Sequence, residues 1–461
     1  MLPVFGHRHI PAPLRRIAIR VAPGLFLLGG VVVSASILSA ARAAEQTAAD
    51  LGIIPAKEIT VGGTTIRPAE PPKGLKMHAD LGIITAECMS AQRIHARPLS
   101  EGCYIETPRG VKTPKGDYLV MFPAGRGHFG WSADKVNQMV AYRSHDQGRT
   151  WTGPAVPWDV PYAAHGFIPF IPRGGTRMYA FGSEPVPGKR EPGLENSPIG
   201  FRSSDDDGHT WSPVTLIRPV NDPGFVGMSV MRMCETDRGT WLVGSHTGYF
   251  KPKEQAWRSR QYVLRSEDRG ATWTLLPDRR PGGWYQPQFD RFDEGRVISL
   301  AGGEVLLMMR SAEGHLWETR SQDDGLTWLK PRATTLVHPD APPILFYLAD
   351  GRTLIAFHHN RYDPKRPYFN LIDRSELWCS LSQDGGRTWG EPHFVLANAA
   401  EPGPGFGHRE IKSWSVSYDD LLVDGEDLHL FVDFQTRQVL HVHFRQSDLA
   451  GLPTRATLVG R

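Results

Sequence analysis

Two arginines and a glutamate stand where a repeated fold would bring them to one site. Glu294 precedes a glycine turn, and Arg310 ends the apolar run EVLLMMR that follows the turn. Arg374 follows Arg310 after an interval close to the repeat described below. A guanidinium group is planar, stays charged at any working pH and binds a carboxylate through two parallel hydrogen bonds. These residues predict an anion site. The alternative is that Glu294 caps a loop and both arginines lie at solvated strand ends.

The elements that must position these residues form a repeat. The pattern Ser-x-Asp-x-Gly-x-Thr-Trp begins at residues 144, 204, 266, 321 and 382, so the copies recur at nearly constant intervals. Ser and Asp side chains bond nearby backbone groups, Gly supplies a positive φ, and Thr and Trp re-enter a strand. Each copy therefore predicts a hairpin turn in a small antiparallel sheet. The aspartates that we expect to be structural are Asp146, Asp206, Asp268, Asp323 and Asp384.

The periodic recurrence of strand-like segments predicts an all-β, six-bladed propeller over residues 79–461. Six strand-like runs recur once per period and mostly follow a Gly-containing turn, whereas the turn pattern has only five copies. The sixth blade ends in QVLHVHF (438–444). Either that blade has lost its turn, or strands from both chain ends close it.

Composition and the N-terminal region narrow the class of protein. The net charge is +3, but residues 1–44 hold five arginines and no acid, which leaves −2 for the rest and gives no reason to expect nucleic acid as a partner. Residues 1–44 predict a cleavable export signal, with paired arginines that hint at the twin-arginine type. Residues 45–78 are predicted to be an extension or linker. We expect a periplasmic or secreted monomer with no stable membrane span after signal cleavage.

The cysteine and histidine spacings predict no metal site and no cofactor. The four cysteines have no Cys-x-x-Cys spacing. In an oxidising compartment Cys88 and Cys103 could pair.

The repeated pattern is the Asp-box, and over roughly residues 80–461 the chain resembles the sialidase (neuraminidase) superfamily. That resemblance implies boxes on the outer turns of six blades, away from the active site. It also implies three arginines that bind the substrate carboxylate, a nucleophilic Tyr with a Glu as its base, and an Asp as acid/base. Glu294 and Arg310 match the family's Glu and second arginine in order and spacing, and Arg374 matches another arginine of the carboxylate site.

The remaining matches are looser. Gln92-Arg93-Ile94-His95 resembles the family signature Phe-Arg-Ile-Pro, with Arg109 as a rival for the first arginine. Asp134 lies in a loop where the acid/base Asp would fall. Tyr418 is the candidate nucleophile, although Asp419 replaces the family's usual Ser and the interval to the next turn is shorter than in the family.

Histidines leave a second chemistry open. His165 and His246 lie in predicted loops and could contact substrate, as could Arg437, which we expect to form an exposed pair of cationic side chains with His441. Tyr, His and Arg together are typical of propeller lyases that cleave uronate polysaccharides. Three hypotheses follow: a retaining exo-glycosidase that releases a terminal acidic sugar, a lyase or other glycosidase acting on acidic glycans, and a non-catalytic glycan-binding propeller.

Overall fold

The computed structural model describes residues 47–97, 104–105, 107–125, 137–162, 165–185, 196–251, 253–254, 256–277, 282–361, 373–401 and 416–459. In these ranges the regular structure is almost entirely β-strand, arranged as six antiparallel sheets and one small hairpin. No helix in them is long and apolar enough to cross a membrane.

The strands are numbered in chain order. The N-terminal strands are β1 (Ile59–Val61), β2 (Thr64–Ile66), β3 (Leu75–His78), β4 (Ile83–Ala86) and β5 (Ser90–Ala96). Blade one has β6 (Tyr104–Ile105), β7 (Arg109–Lys112), β8 (Tyr118–Gly125), β9 (Asn137–Ser144), β10 (Thr152–Ala155) and β11 (Pro161–Tyr162). Blade two has β12 (Phe167–Phe170), β13 (Met178–Ser183), β14 (Ile199–Ser204) and β15 (Thr215–Leu216). Blade three has β16 (Val230–Glu235), β17 (Trp241–Lys251), β18 (Ala256–Ser266) and β19 (Thr274–Leu276).

Blade four has β20 (Asp293–Ser299), β21 (Val305–Arg310), β22 (His315–Ser321) and β23 (Arg332–Val337). Blade five has β24 (Ile344–Tyr347), β25 (Leu354–His358), β26 (Glu376–Ser382) and β27 (His393–Asn398). Blade six has β28 (Val416–Asp424), β29 (Asp427–Phe434) and β30 (Gln438–Arg445). The short helices are the 3₁₀ turns Ala301–Gly303 and Gln446–Gly451 and the helix α1 (Arg455–Val459).

The six sheets form a ring, which confirms the predicted six-bladed propeller. The first strands of successive blades contact one another around a central channel: β7 with β12, β12 with β16, β16 with β20, β20 with β24, β24 with β28, and β28 with β7. Apolar side chains fill the space between blades, as where Phe181, Trp241 and Trp273 pack together. Aromatic rings bury large areas in this way and provide much of the stabilisation between layers.

Strands from both chain ends close the ring, one of the two alternatives for blade six. The fourth strand of blade six is β5, which pairs antiparallel with β30. Strands β3 and β4 extend blade five beyond β27. The hairpin β1–β2 contacts the same blade, because the Gly62 amide donates to Glu376 Oε2 at 2.8 Å. Cys88 is a free, exposed thiol, and Cys103 lies outside the described residues.

All five Ser-x-Asp-x-Gly-x-Thr-Trp segments form the same turn between the third and fourth strands of blades one to five. In each, the Ser Oγ donates to the Asp and accepts from the Gly amide. The Asp also accepts from the backbone and hydroxyl of the Thr. The residue before the Gly and the Gly itself both have positive φ. These aspartates therefore have turn geometry that accounts for their place in the pattern.

The turns lie at the opposite edge of the ring from the first-strand starts. The first and third strands of a blade run in the same direction, because each is antiparallel to the second strand. The turns follow third strands, whereas Glu294 and Tyr418 lie near the starts of the first strands β20 and β28. We call the edge with Glu294 and Tyr418 the site edge.

Lowering the pH should destabilise the fold over a defined pH range. Hydrogen bonds from Thr150 and Thr272 lower the pKa of Asp146 and of Asp268 to about 2, whereas an Asp in the unfolded chain has a pKa of about 3.9. A lowered folded pKa gives stability that is complete above the unfolded value and is lost as the pH falls through the folded one. We expect the urea midpoint to fall between pH about 4 and about 2, and less steeply in the Asp146→Asn, Asp268→Asn double variant. Equal slopes in both proteins would contradict this account.

Candidate functional site

Tyr418 and Glu294 occupy matching irregularities in two first strands. The pairing register shifts between Ser417 and Asp420 in blade six and between Asp293 and Arg296 in blade four. A bulge of this kind redirects a side chain out of the regular alternation. Tyr418 has φ 52° and Glu294 has φ 48°, the left-handed conformation that non-glycine residues adopt at a cost of about 1–3 kcal/mol each.

These two side chains meet across the channel. The Tyr418 hydroxyl donates to Glu294 Oε1 at 2.7 Å. Arg310 Nη1 donates to Glu294 Oε2 at 2.5 Å and to the Tyr418 hydroxyl at 3.2 Å. Burial by itself would raise the pKa of Glu294, but the charge of Arg310 outweighs it and the net shift is downward. Glu294 is therefore an ionised acceptor in contact with a phenol.

Arg374 lies against the segment that carries Tyr418. Its Nη1 donates to Ser417 Oγ at 2.6 Å, and its Cζ lies 5.5 Å from the centroid of the Tyr418 ring. Its own carbonyl accepts from the Val416 amide. Arg310 and Arg374, predicted as partners in an anion site, thus both contact Tyr418.

Asp340 connects the two arginines, and the sequence analysis missed it. Its Oδ1 accepts from Arg310 Nε at 2.7 Å, its Oδ2 lies 2.9 Å from Arg291 Nη1, and its carbonyl accepts from Arg374 Nη2 at 2.6 Å. Burial would raise the pKa of Asp340, but Arg291 and Arg310 lower it overall. One buried residue, through its carboxylate and its backbone carbonyl, thereby fixes the spacing of the arginines.

Two predicted histidines lie beside Glu294. His165 Nε2 is 3.7 Å from Glu294 Oε1, and its ring centroid is 6.0 Å from that of Tyr418. His246 Nδ1 accepts from the Glu294 amide at 3.2 Å. Burial lowers the pKa of His246 to about 3, so this ring is neutral at ordinary pH and holds the unusual Glu294 backbone through a lone pair.

The two candidates for a first arginine occupy different places. Arg93 lies on β5, the outermost strand of blade six, and donates to Gln438 Oε1 and to the Asp80 carbonyl. Arg109 lies on the innermost strand β7, where its Nη1 donates to the Tyr418 carbonyl at 2.7 Å and its Nε to the Met231 carbonyl at 3.3 Å. Arg109 therefore contacts the backbone of Tyr418 from within the channel.

Two further predictions concern Asp134 and the pair Arg437 and His441. Asp134 lies outside the described residues. Arg437 and His441 are buried, so the expectation that they are exposed is wrong. The physical reason is the N-terminal region: Arg437 Nη1 donates to the Leu51 carbonyl, and its own carbonyl accepts from the Arg97 amide. Leu51 is distant from Arg437 in sequence, so no local pattern could show that it covers this arginine.

The formal charges of this group balance, and one side of the Arg310 guanidinium remains open to a ligand. Two arginines, Arg291 and Arg310, pair with three carboxylates (Asp293, Glu294 and Asp340). A third arginine, Arg374, bonds the Asp340 carbonyl. In the described part of the chain, Nη2 of Arg310 has no hydrogen-bond acceptor, and 9% of the Arg310 side chain is exposed. An incoming carboxylate could bond there without displacing Glu294. No group of three or more His, Cys, Asp or Glu among the described residues is arranged to hold a metal ion.

A signal for the missed residues was present in the sequence. Arg291 and Asp293 stand beside the predicted Glu294 in the charged segment RFDEGR, directly before the apolar run VISL. In a propeller, charged residues at the start of a first strand lie at the site edge, so this segment predicts site residues. Asp340 carried no such local signal, because its role depends on arginines from two blades.

Comparison with known proteins gives the family. A model of the BNR repeat-like domain matches residues 167–430, more than half of the chain. The chain belongs to the BNR repeat-like domain family. A xyloglucanase of Paenibacillus is 24% identical to this BNR protein over 279 residues, which are 56% of this chain and 24% of the relative. The chain therefore spans about a quarter of that relative's length.

Solved structures show the same fold for this BNR protein. A Hadza microbial sialidase superposes with a TM-score of 0.57 at 16% identity, covering 77% of this chain and 68% of that one. The NanB sialidase of Streptococcus pneumoniae superposes with a TM-score of 0.55 at 12% identity, covering 78% and 71%. At these identities the likeness shows the propeller fold.

Proposed function

We propose that this protein is an exo-acting glycosidase that releases a terminal acidic sugar, such as a sialic acid, with retention of configuration. The observation that carries the proposal is the 2.7 Å hydrogen bond from the Tyr418 hydroxyl to Glu294, with Arg310 bonded to both. A buried phenol beside an ionised carboxylate is an activated nucleophile with its base. Similarity to sialidase structures and to a xyloglucanase supports a glycosidase.

The chemistry proceeds in two displacements. Glu294 takes the Tyr418 proton while the phenolate oxygen attacks the anomeric carbon, and the glycosidic bond breaks as its oxygen takes up a proton. Asp134 is the residue that the sequence predicts for that proton transfer. Water then attacks the same carbon, loses a proton to the acid/base group, and the Tyr418 oxygen recovers its proton from Glu294. Two inversions give net retention.

An uncharged nucleophile suits a substrate that is itself an anion. A carboxylate nucleophile would repel a sugar carboxylate, whereas a neutral Tyr does not until its proton leaves. Arg310 Nη2 and the adjacent Arg374 provide the positive charge that would bind the sugar carboxylate. The predicted export signal would put this activity in the periplasm or outside the cell.

A second function is favoured by one observation, the position of His165. Its Nε2 lies 3.7 Å from Glu294 Oε1 and its ring is close to Tyr418. A lyase acting on uronate polysaccharides would use Tyr and His to move protons while an arginine neutralises the carboxylate. Such an enzyme would leave an unsaturated sugar that absorbs ultraviolet light.

The two functions are separated by the products. With the glycosidase, methyl α-sialoside should release free sialic acid, and proton NMR during the first turnovers should show the α-anomer before mutarotation. With the lyase, uronate oligosaccharides should give a product with new ultraviolet absorbance. Release of the β-anomer would exclude retention, and the absence of both products would favour a glycan-binding propeller without catalysis.

A further inference from the structure

Among the described strand pairs, the longest is the hairpin of blade three, whose turn lies at the site edge. Strands β17 and β18 pair over eleven residues each, from Trp241↔Ser266 to Lys251↔Ala256. His246, the residue that contacts Glu294, lies in the middle of β17. The five further residues of β17 extend about 17 Å past it, at about 3.4 Å per residue. Blade three therefore builds a wall beside the candidate site.

Two exposed aromatic rings lie on or against this wall. Tyr249 of β17 is 36% exposed, and Tyr285, in the segment that leads into β20, is 45% exposed. Arg260 of β18 covers one face of Tyr285, with Cζ 3.9 Å from the ring centroid. A ring with one face against a guanidinium and nearly half of its surface exposed presents its other face to solvent. We call Tyr249, Arg260 and Tyr285 the shelf.

Asp290 holds two of the three shelf residues, Arg260 and Tyr249. Arg260 donates Nη2 to its carboxylate and Nη1 to its carbonyl, the latter at 3.1 Å. The Tyr249 hydroxyl donates to Asp290 Oδ2 at 3.4 Å. Asp290 itself has φ 54°. Stacked and bonded side chains lose little freedom when a ligand binds, which favours binding.

The shelf adjoins the reaction site through two short connections. Ser259, next to Arg260, donates its hydroxyl to Asp293 Oδ2 at 3.2 Å, and Asp293 precedes Glu294. The Ser259 amide donates to the Asp290 carbonyl. A group bound on the shelf would therefore lie next to a sugar bound at Glu294.

Among the described residues around the shelf, three cationic side chains (Lys251, Arg258 and Arg260) share two carboxylates (Glu254 and Asp290). Arg260 pairs with Asp290, and Arg258 pairs with Glu254 at 2.6 Å. Lys251 lies 3.4 Å from Glu254. The guanidinium groups of Arg258 and Arg260 already bond carboxylates, and the open aromatic face of Tyr285 offers apolar contact to the C–H face of a pyranose.

We propose that the shelf binds a neutral sugar unit on the leaving-group side of the scissile bond, so that the natural substrate is an oligosaccharide or glycan chain rather than a small glycoside. This inference rests on the proposed function for the order of the two sites. The shelf itself can be tested without any turnover.

The kinetic test compares one terminal sugar on two leaving groups. In the full chain, Tyr285→Ala should lower kcat/KM for sialyllactose about ten-fold, the size expected from loss of one aromatic contact. The same variant should hydrolyse methyl α-sialoside within two-fold of the wild type, because methanol does not reach the shelf. Tyr285→Phe keeps the ring and should match the wild type on both. An equal loss on both substrates, or no loss on sialyllactose, would overturn the proposal.

A binding measurement tests the shelf independently of the proposed chemistry. Saturation-transfer NMR with lactose alone should show contact in the wild type and in Tyr418→Phe, and much weaker contact in Tyr285→Ala. If sialosides are not cleaved but this pattern appears, the proposed chemistry fails and the shelf stands. If the wild type shows no contact with lactose, the shelf proposal is wrong even if sialosides are cleaved.

Discussion

Replacing Tyr418 by Phe should lower kcat by at least about 10³-fold, because the nucleophilic oxygen is removed while the ring that packs against Arg374 stays. Glu294→Gln should lower kcat by about 10²–10⁴-fold, the usual range for loss of a general base. An amide cannot accept the Tyr418 proton as a carboxylate does. Both effects would be measured as initial rates of sialic acid release from methyl α-sialoside.

Tyr142→Phe is the matched control for this loss. Tyr142 is also buried with its hydroxyl hydrogen bonded, in this case to His95 at 2.7 Å, but in the sheet of blade one. It should retain wild-type activity and show any loss of stability that comes from removing a buried hydroxyl. If Tyr418→Phe kept a tenth or more of the wild-type kcat, the proposed nucleophile would be wrong.

Replacing Arg374 by Met should change which substrates are preferred. An arginine that bonds a substrate carboxylate contributes about 2–5 kcal/mol when its partner is left unpaired, so kcat/KM should fall about 30-fold or more for a sialoside. The methyl ester of the same sialoside has no charge to lose and should be affected much less. The ratio of the two values, rather than either alone, measures the role of Arg374 in anion binding.

Arg143→Met corrects for the removal of any buried arginine. Arg143 pairs with Asp117 and Asp207 within and beside blade one. It should destabilise the fold yet leave the acid-to-ester ratio unchanged. An unchanged ratio in Arg374→Met as well would show that Arg374 serves the structure around Ser417 and Asp340 and not the substrate.

The parts of the site that depend on one hairpin were predictable from sequence. Asp293 pairs with Arg310 across β20 and β21, so the interval between Glu294 and Arg310 directly sets their contact. The turns repeat with the blade period, so the ring of blades also followed from the sequence. Both features depend on local geometry that recurs with each blade.

The contacts between distant blades could not be predicted from local patterns, and it was the resemblance to sialidases that paired Tyr418 with Glu294. Tyr418 and Glu294 lie on the first strands of different blades, and their contact requires two bulges whose φ values no pattern in the sequence marks. Asp340 acts through arginines of blades four and five. Arg437 is buried by the N-terminal segment. Each depends on how the ring closes.

Ring closure also links the N-terminal region to the site. Strand β5 completes blade six, which carries Tyr418, while β3 and β4 extend blade five, whose third strand follows Arg374 directly. The segment from β3 to β5 therefore completes the sheets on both sides of the Tyr418–Arg374 contact. The N-terminal region therefore supplies strands to two blades and also covers Arg437.

The most direct measurement of the central claim is to trap the glycosyl-enzyme. In a fluorinated sialosyl fluoride, the ring fluorine slows both displacements. The anomeric fluoride is a good leaving group, so the first displacement still proceeds and the covalent intermediate should accumulate. Mass spectrometry of the digested protein should then show one sugar added to the peptide that contains Tyr418, with no adduct in Tyr418→Phe. A sugar attached to Glu294 or to another residue, with Tyr418 unmodified, would contradict the account.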